Sequence, residues 1–187
     1  MVILMKKVYL FLADGFEETE AITPADLLRR AGIEVCLVSL NDTVAVTGSH
    51  NIRLTADAVF AQCNWDDASM FVLPGGKMGT ENLEKHEPLA GLLMTAGEKG
   101  ITLAAICAAP RVLGRLGLLN GKQACCYPGE EPSLIGAQVI YEPVAIENGV
   151  ITSRGMGTAF DFGLALVQHL CGAETAEAVA RKTVYKQ

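Results

Sequence analysis

Ala104-Ala105-Ile106-Cys107-Ala108-Ala109-Pro110-Arg111 joins an apolar run that begins at Ile101 to a helical pattern that begins at Val112-Leu113. A short apolar run bounded by turn residues reads as a buried strand. Pro110 stands where the first turn of a helix tolerates proline. A strand that turns abruptly into a helix exposes the side chain at the corner, as in the nucleophile elbow of hydrolases. Small alanines on both sides are what so tight a turn admits. A thiol there faces unpaired helix N–H groups and the positive end of the helix dipole, and both favour thiolate. A buried, inert cysteine fits the same residues, because free Cys is often simply core. The octapeptide alone leaves both readings open.

Outward from that corner the chain alternates strands and helices. Residues 8–13 form a near-continuous apolar strand of the kind buried on both faces of a parallel sheet, and Asp14-Gly15 ends it. Residues 17–31 read as a helix stopped by Gly32, with Pro24 distorting its first turns, and residues 34–39 as a second strand. Val44-Ala45-Val46 and Ile52-Arg53-Leu54 flank Thr47-Gly48-Ser49-His50-Asn51 and predict a projecting hairpin. A strand at 70–73 ends at Pro74-Gly75-Gly76, and a helix follows from about 87 to 98. Beyond the elbow, whose helix ends by Gly117–Gly121, residues 123–126 and 139–140 read as strands. Residues 144–146 and 150–152 form a hairpin around Glu147-Asn148-Gly149, and helices cover 158–170 and 175–182. Strands alternating with helices predict an α/β doubly wound sheet covered on both faces, as a single domain over residues 1–187.

The 187 residues are half hydrophobic and only 19% charged, a globular composition without a disorder signature. A net charge of −6 with no basic cluster argues against a nucleic-acid partner. Six cysteines form no C-x-x-C pair, and no His stands at ligand spacing from a Cys, so the expectation is free thiols and no metal. Residues 1–5 are apolar but run into Lys6-Lys7 without the layout of a signal peptide. No run reaches membrane-spanning length. A reducing cytoplasm is the expected setting.

In open α/β sheets ligands sit at the carboxyl ends of the strands. Three turns fall on that rim: Asp14-Gly15-Phe16-Glu17-Glu18-Thr19-Glu20, Pro74-Gly75-Gly76 and the Cys107 elbow. They converge if the strands before them are neighbours. Gly75 and Gly76 then direct backbone N–H groups toward an oxyanion, or simply make a tight turn. Glu17 and Glu18 read as acids favoured by a helix start. Glu20 points into the face that carries Ala21 and Pro24, where burial would keep it protonated beside the thiol. His50, His86 and His169 read as surface or packing residues, which weakens a Cys-His hydrolase. Cys125-Cys126 reads as two small strand residues rather than resolving thiols.

These residues resemble the ThiJ/PfpI superfamily and its DJ-1-like clade over essentially the full length. The segments that carry the likeness are Asp14-Gly15-Phe16-Glu17-Glu18-Thr19-Glu20-Ala21-Ile22-Thr23-Pro24, Asp26-Leu27-Leu28-Arg29-Arg30-Ala31-Gly32, Val72-Leu73-Pro74-Gly75-Gly76, Ala104 to Pro110, and Thr152-Ser153-Arg154-Gly155-Met156-Gly157-Thr158. The resemblance implies a flavodoxin-like three-layer sandwich of the class I glutamine amidotransferase type, with a mostly parallel sheet, usually a homodimer. It implies that Cys107 is an oxidation-prone nucleophile, Glu20 the protonated acid beside it, and Gly75, Gly76 and Ala108 the backbone that faces it. Tyr127, His50 and Arg30 become candidates for the pocket. Tyr127-Pro128 stands where some members have a histidine, Met156 replaces a usual proline, and His50 takes the place of a common arginine.

The implied activities are cofactor-free glyoxalase chemistry on methylglyoxal-like carbonyls, deglycation of glycated adducts, and chaperone function. Peptidase activity is not implied, because Ala108 occupies the position of the histidine in the protease-named relatives. Two expectations follow. Cys107 and Glu20 act as an enzyme on a small reactive carbonyl, or Cys107 oxidises to a sulfinate in a non-catalytic redox sensor or chaperone.

Overall fold

Residues 7–185 are described by a computed structural model; residues 1–6, including the apolar start, and 186–187 lie outside the described residues. In chain order the elements are β1 (Lys7–Leu12), α1 (Glu18–Arg30), β2 (Glu34–Ser39), β3 (Ala45–Thr47), β4 (Arg53–Thr55), β5 (Ala58–Val59), β6 (Ala68–Leu73), α2 (Lys77–Lys85), α3 (Glu87–Lys99) and β7 (Thr102–Ile106). Then come α4 (Pro110–Arg115), β8 (Gln123–Ala124), β9 (Gln138–Val139), β10 (Val144–Glu147), β11 (Val150–Ser153), α5 (Ala159–Cys171) and α6 (Ala173–Lys182). Seven strands form one sheet in the order β10-β11-β7-β6-β1-β2-β5, parallel except for the antiparallel β10–β11 hairpin.

Alternation along β1 explains the layering. Val8, Leu10 and Leu12 turn to one face and Tyr9 and Phe11 to the other, as the period of two in a pleated strand requires. Both sets are buried, so both faces need covering. Apolar residues of α1, α5 and α6 cover the first face, and those of α2, α3 and α4 cover the second. The second face holds an aromatic cluster in which Trp65 lies 5.0 Å edge-on to Tyr9 and 4.9 Å from Phe60. This is the three-layer, mostly parallel sandwich expected from the sequence. None of the described helices is long and apolar enough to cross a membrane.

Three local differences have physical causes. The helix α2 was not expected, because Gly79 stands in its first turn and only Leu83 among its apolar side chains is buried. A Cβ on Gly79 would lie 2.6 Å from the Phe16 Cα, so a residue that looks like a breaker is what lets α2 approach the turn after β1. The strand expected over 123–126 stops at Ala124, since the Cys125 amide turns to the Thr152 hydroxyl at 2.9 Å. And α1 continues through Pro24, which has no N–H to offer the Glu20 carbonyl one turn earlier.

The helices α1 and α5 pack closely because Gly163 brings no side chain between them. A Cβ there would stand 2.6 Å from Leu27 Cδ1 and 3.1 Å from the Pro24 Cα, which is backbone and cannot rotate away. Gly163→Val is therefore expected to lower the unfolding free energy by about 1–3 kcal/mol. Urea denaturation monitored by circular dichroism measures it, and an unchanged midpoint would mean that the helices have room to part.

Candidate functional site

The adjacency of β7, β6 and β1 brings their three carboxyl-end turns together. The Glu17 amide donates to the Gly75 carbonyl at 3.0 Å, tying the first turn to the second. At the third, Cys107 has φ +67°, a left-handed conformation that costs a non-glycine residue on the order of 1–3 kcal/mol. Two hydrogen bonds hold it there. Its amide donates to the Ser153 carbonyl at 3.0 Å, and its carbonyl accepts from the Tyr127 amide at 2.8 Å. The side chain is thereby turned out of the sheet into a half-buried position.

The amides of Gly76 and Ala108 hydrogen-bond to the Cys107 sulfur. Gly76 caps the nine-residue helix α2, whereas α4, the helix that follows the cysteine, has only six residues. The helix end aimed at the thiol thus includes one from a different part of the chain. Gly75 acts differently from its neighbour: its amide donates to Glu20 Oε2 at 3.0 Å. A Cβ on Gly75 would stand 2.5 Å from both the Cys107 Cβ and Glu20 Oε2, so the two reacting side chains meet only because this residue has none.

Glu20 is 1% exposed and hydrogen-bonds with Cys107. Burial pushes its pKa up to about 7, with the Glu17 carboxylate adding to the rise, while Cys107 and the Gly75 amide pull it back. Burial likewise pushes the Cys107 thiol up to about 12, helped by the Glu20 carboxylate and opposed by the Gly76 and Ala108 amides. The pair gives up a first proton near neutrality and holds its second far above it, so the site is neutral in acid and carries one negative charge once the pH passes neutrality. The helix amides favour thiolate, as expected, but they do not act alone. Burial outweighs them, and sulfur takes the charge only when the remaining proton sits on Glu20.

The remaining expected residues divide. Tyr127 is 53% exposed, and its ring lies 3.4 Å from where a Gly155 Cβ would be, with Glu20 Oε1 at 3.9 Å from the same point. It therefore flanks the mouth of the site. His50 lies on the hairpin and pairs with Glu18, Nδ1 to Oε2 at 3.0 Å. Arg30 is not brought to the site: it lies in the last turn of α1, exposed, with Nε on Asp26 Oδ2 at 2.6 Å. Ten residues of helix separate it from Glu20, about 15 Å along the axis. His86 caps α3 by accepting from the Leu89 amide, and His169 meets the Thr102 hydroxyl at 2.9 Å. Cys125 and Cys126 are buried within the fold.

Two residues carry more than the sequence suggested. Glu18 is 3% exposed rather than a solvated helix-start acid. Burial raises its pKa, but hydrogen bonds from the backbone amides of Glu18, His50 and Ile52 and from the His50 ring prevail and lower it to about 2. Arg111, 8% exposed, places Nε on Glu84 at 3.1 Å and Nη1 on Glu130 at 3.1 Å. It fastens α2 and the loop after Tyr127 to the elbow helix. The sequence signal was an arginine one residue after Pro110, at a helix start that packs on a sheet, where it needs carboxylate partners.

Residues 6–169 match the DJ-1/PfpI family. The chain is 38% identical over 180 residues to protein dj-1beta of Drosophila melanogaster, covering 95% of this chain and 96% of that one. It is 30% identical over 156 residues to a protein of Pyrococcus abyssi named a deglycase, covering 82% and 93%. Among solved structures, an oxidized DJ-1 of Toxoplasma gondii superposes with a TM-score of 0.93 at 33% identity, covering 97% of this chain and 99% of that one.

The raised pKa of Glu20 has a thermodynamic consequence. The folded state keeps a proton that the unfolded chain loses above the ordinary value of 4.5, so stability falls as pH rises from 4.5 to about 7. Glu20→Gln removes this dependence. Its stability relative to wild type is expected to improve by up to about 3 kcal/mol between pH 4.5 and 7, at 1.36 kcal/mol per unit. Urea titrations of both proteins at several pH values measure the difference; a pH-independent difference would mean that Glu20 ionises normally.

Proposed function

The chain belongs to the DJ-1/PfpI family, and from that premise we propose that it is a cysteine-dependent carbonyl-stress protein of the glyoxalase or deglycase type. The observation that carries this reading is the pairing of Glu20 with Cys107 under the Gly76 and Ala108 amides. It supplies a nucleophile, a proton carrier and donors for an oxyanion without any cofactor.

On a 2-oxoaldehyde the thiolate attacks the aldehyde carbon, and the new oxyanion is stabilised by the amides and takes the proton from Glu20. The carboxylate so formed removes the hydrogen from that carbon and returns it to the adjacent keto carbon, while the hydroxyl proton on the first oxygen passes to the former keto oxygen. The aldehyde carbon is thereby oxidised and its neighbour reduced, leaving a thioester of a 2-hydroxy acid on Cys107. Water hydrolyses the thioester, releasing the hydroxy acid and restoring the thiol. Glycated adducts present the same carbonyl chemistry, and the deglycase name of the Pyrococcus abyssi relative supports that substrate class. With Ala108 next to the cysteine and the three histidines engaged elsewhere, the proton work falls to Glu20 rather than to an imidazole. Peptidase activity is not part of the reading. The proposed setting is the cytoplasm, and the proposed assembly a homodimer, which the exposed Ile22 of α1 and Ile52 before β4 support.

A second reading is favoured by the half-buried, hydrogen-bonded sulfur: a redox sensor or chaperone in which Cys107 is oxidised to a sulfinate that the Glu20 O–H stabilises. Methylglyoxal consumption separates the two. Cys107→Ala should abolish it and Glu20→Gln should reduce it by about 10²–10⁴-fold. Undiminished turnover by Cys107→Ala would sink the enzymatic reading. Under mild peroxide the sensor reading expects a gain of two oxygens at Cys107 before the other five thiols react, read by mass spectrometry of peptides; indiscriminate oxidation would argue against it.

A further inference from the structure

A second group of ligand atoms lies at the joint between the β3–β4 hairpin and the start of α1. Carboxylate oxygens of Glu17 and Glu18 and an imidazole nitrogen of His50 lie within 4.8 Å of one another. His50 Nδ1 is 3.0 Å from Glu18 Oε2 and 3.5 Å from Glu17 Oε2. The Ser49 hydroxyl adds a fourth polar atom, 3.0 Å from Glu17 Oε2, 3.1 Å from Glu18 Oε2 and 3.0 Å from His50 Nδ1.

Two features distinguish this group from a set of surface acids. Glu18 is a buried carboxylate whose outer oxygen is aimed by the protein. Oε1 accepts from the His50 amide at 2.8 Å and from the Ile52 amide at 3.4 Å, which leaves Oε2 facing the imidazole. Such orientation of one oxygen by backbone donors is how a ligating carboxylate is held in place. The spacing is the second feature. Ligands bound to zinc at about 2.0–2.1 Å in a tetrahedron lie about 3.3 Å apart, and the two nitrogen-to-oxygen distances bracket that value.

We propose that Glu17, Glu18 and His50 form a divalent-cation site of zinc type, with the Ser49 hydroxyl at the fourth corner. One nitrogen and two carboxylate oxygens are a zinc-like donor set, and the neutral Ser49 hydroxyl is the weak fourth donor that water can displace. The ion replaces the proton that joins imidazole to carboxylate, and it clamps the hairpin to the first turn of α1. The segments that supply the ligands lie some thirty residues apart, so no ligand motif appears in the sequence.

The test is zinc binding by the metal-stripped, reduced full-length protein in competition with a chromophoric chelator. Cys107→Ala removes the reactive thiol as a rival ligand. That variant is expected to bind one zinc ion per chain, with a rise in Tm. His50→Ala and Glu17→Gln, each made in that background, should weaken binding by at least about tenfold. Cobalt substitution should give a spectrum without thiolate-to-metal charge transfer. Loss of binding in Cys107→Ala, a thiolate band with cobalt, or equal affinity in His50→Ala would each overturn the proposal, as would a chain that takes up no zinc. Circular dichroism of each variant shows that it is folded, and none of these readouts depends on carbonyl turnover.

Discussion

Cys107 and Glu20 both ionise by losing a proton, and they are buried against each other with donors sufficient for one negative charge. That constraint orders the rest of the site. Gly75 must lack a side chain for the two groups to touch, and its amide must reach Glu20 rather than the sulfur. The elbow must hold Cys107 left-handed, which takes the Ser153 carbonyl on one side and the Tyr127 amide on the other. The sulfur's own donors must come from elsewhere, and they come from Gly76 and Ala108. A chemistry that needs a charge on sulfur and a proton next to it is served by two acids and one proton, where a histidine would offer a different balance.

The scaffold supplies that arrangement through neighbouring parallel strands. Because β1, β6 and β7 are adjacent, three turns that are far apart in sequence end on one rim. The turns are then joined to one another by more than proximity. Glu17 donates to Gly75, the Gly79 amide to the Gly15 carbonyl, and Arg111 spans from the elbow helix to α2 and to Glu130. The left-handed strain at Cys107 is small against a network of this extent, and the local conformation is over-determined by its surroundings.

Much of this was readable in the sequence. The buried strands announce themselves as apolar runs, the β10–β11 hairpin by Asn148-Gly149, and Cys107 by the small residues around a strand-to-helix corner. Glu20 could be placed because helical spacing puts it on the face of Ala21 and Pro24. What sequence could not show depends on distant partners. Glu18 reads as a solvated acid until the hairpin at His50 folds over it, and Gly79 reads as a helix breaker until Phe16 lies beneath it. Arg30 was drawn into the pocket by likeness of motif, and in this chain it is ten residues along α1 from the acid it was grouped with. The thiol's surroundings were half visible for a related reason, since helix amides can be counted along the chain while burial and the charge on Glu20 cannot.

The aromatic cluster has a practical meaning for anyone observing this protein. Trp65 is the sole tryptophan, and it sits among Tyr9, Phe11, Phe60 and Phe71 on the face of the sheet covered by α3. Glu20 and Cys107 meet at the strand ends, with α1 of the opposite layer. Intrinsic indole emission therefore tracks the integrity of the second core and stays nearly blind to adducts on the sulfur. A single fluorophore makes the molecule its own reporter of folding, in the same cuvette in which its chemistry is followed by other means.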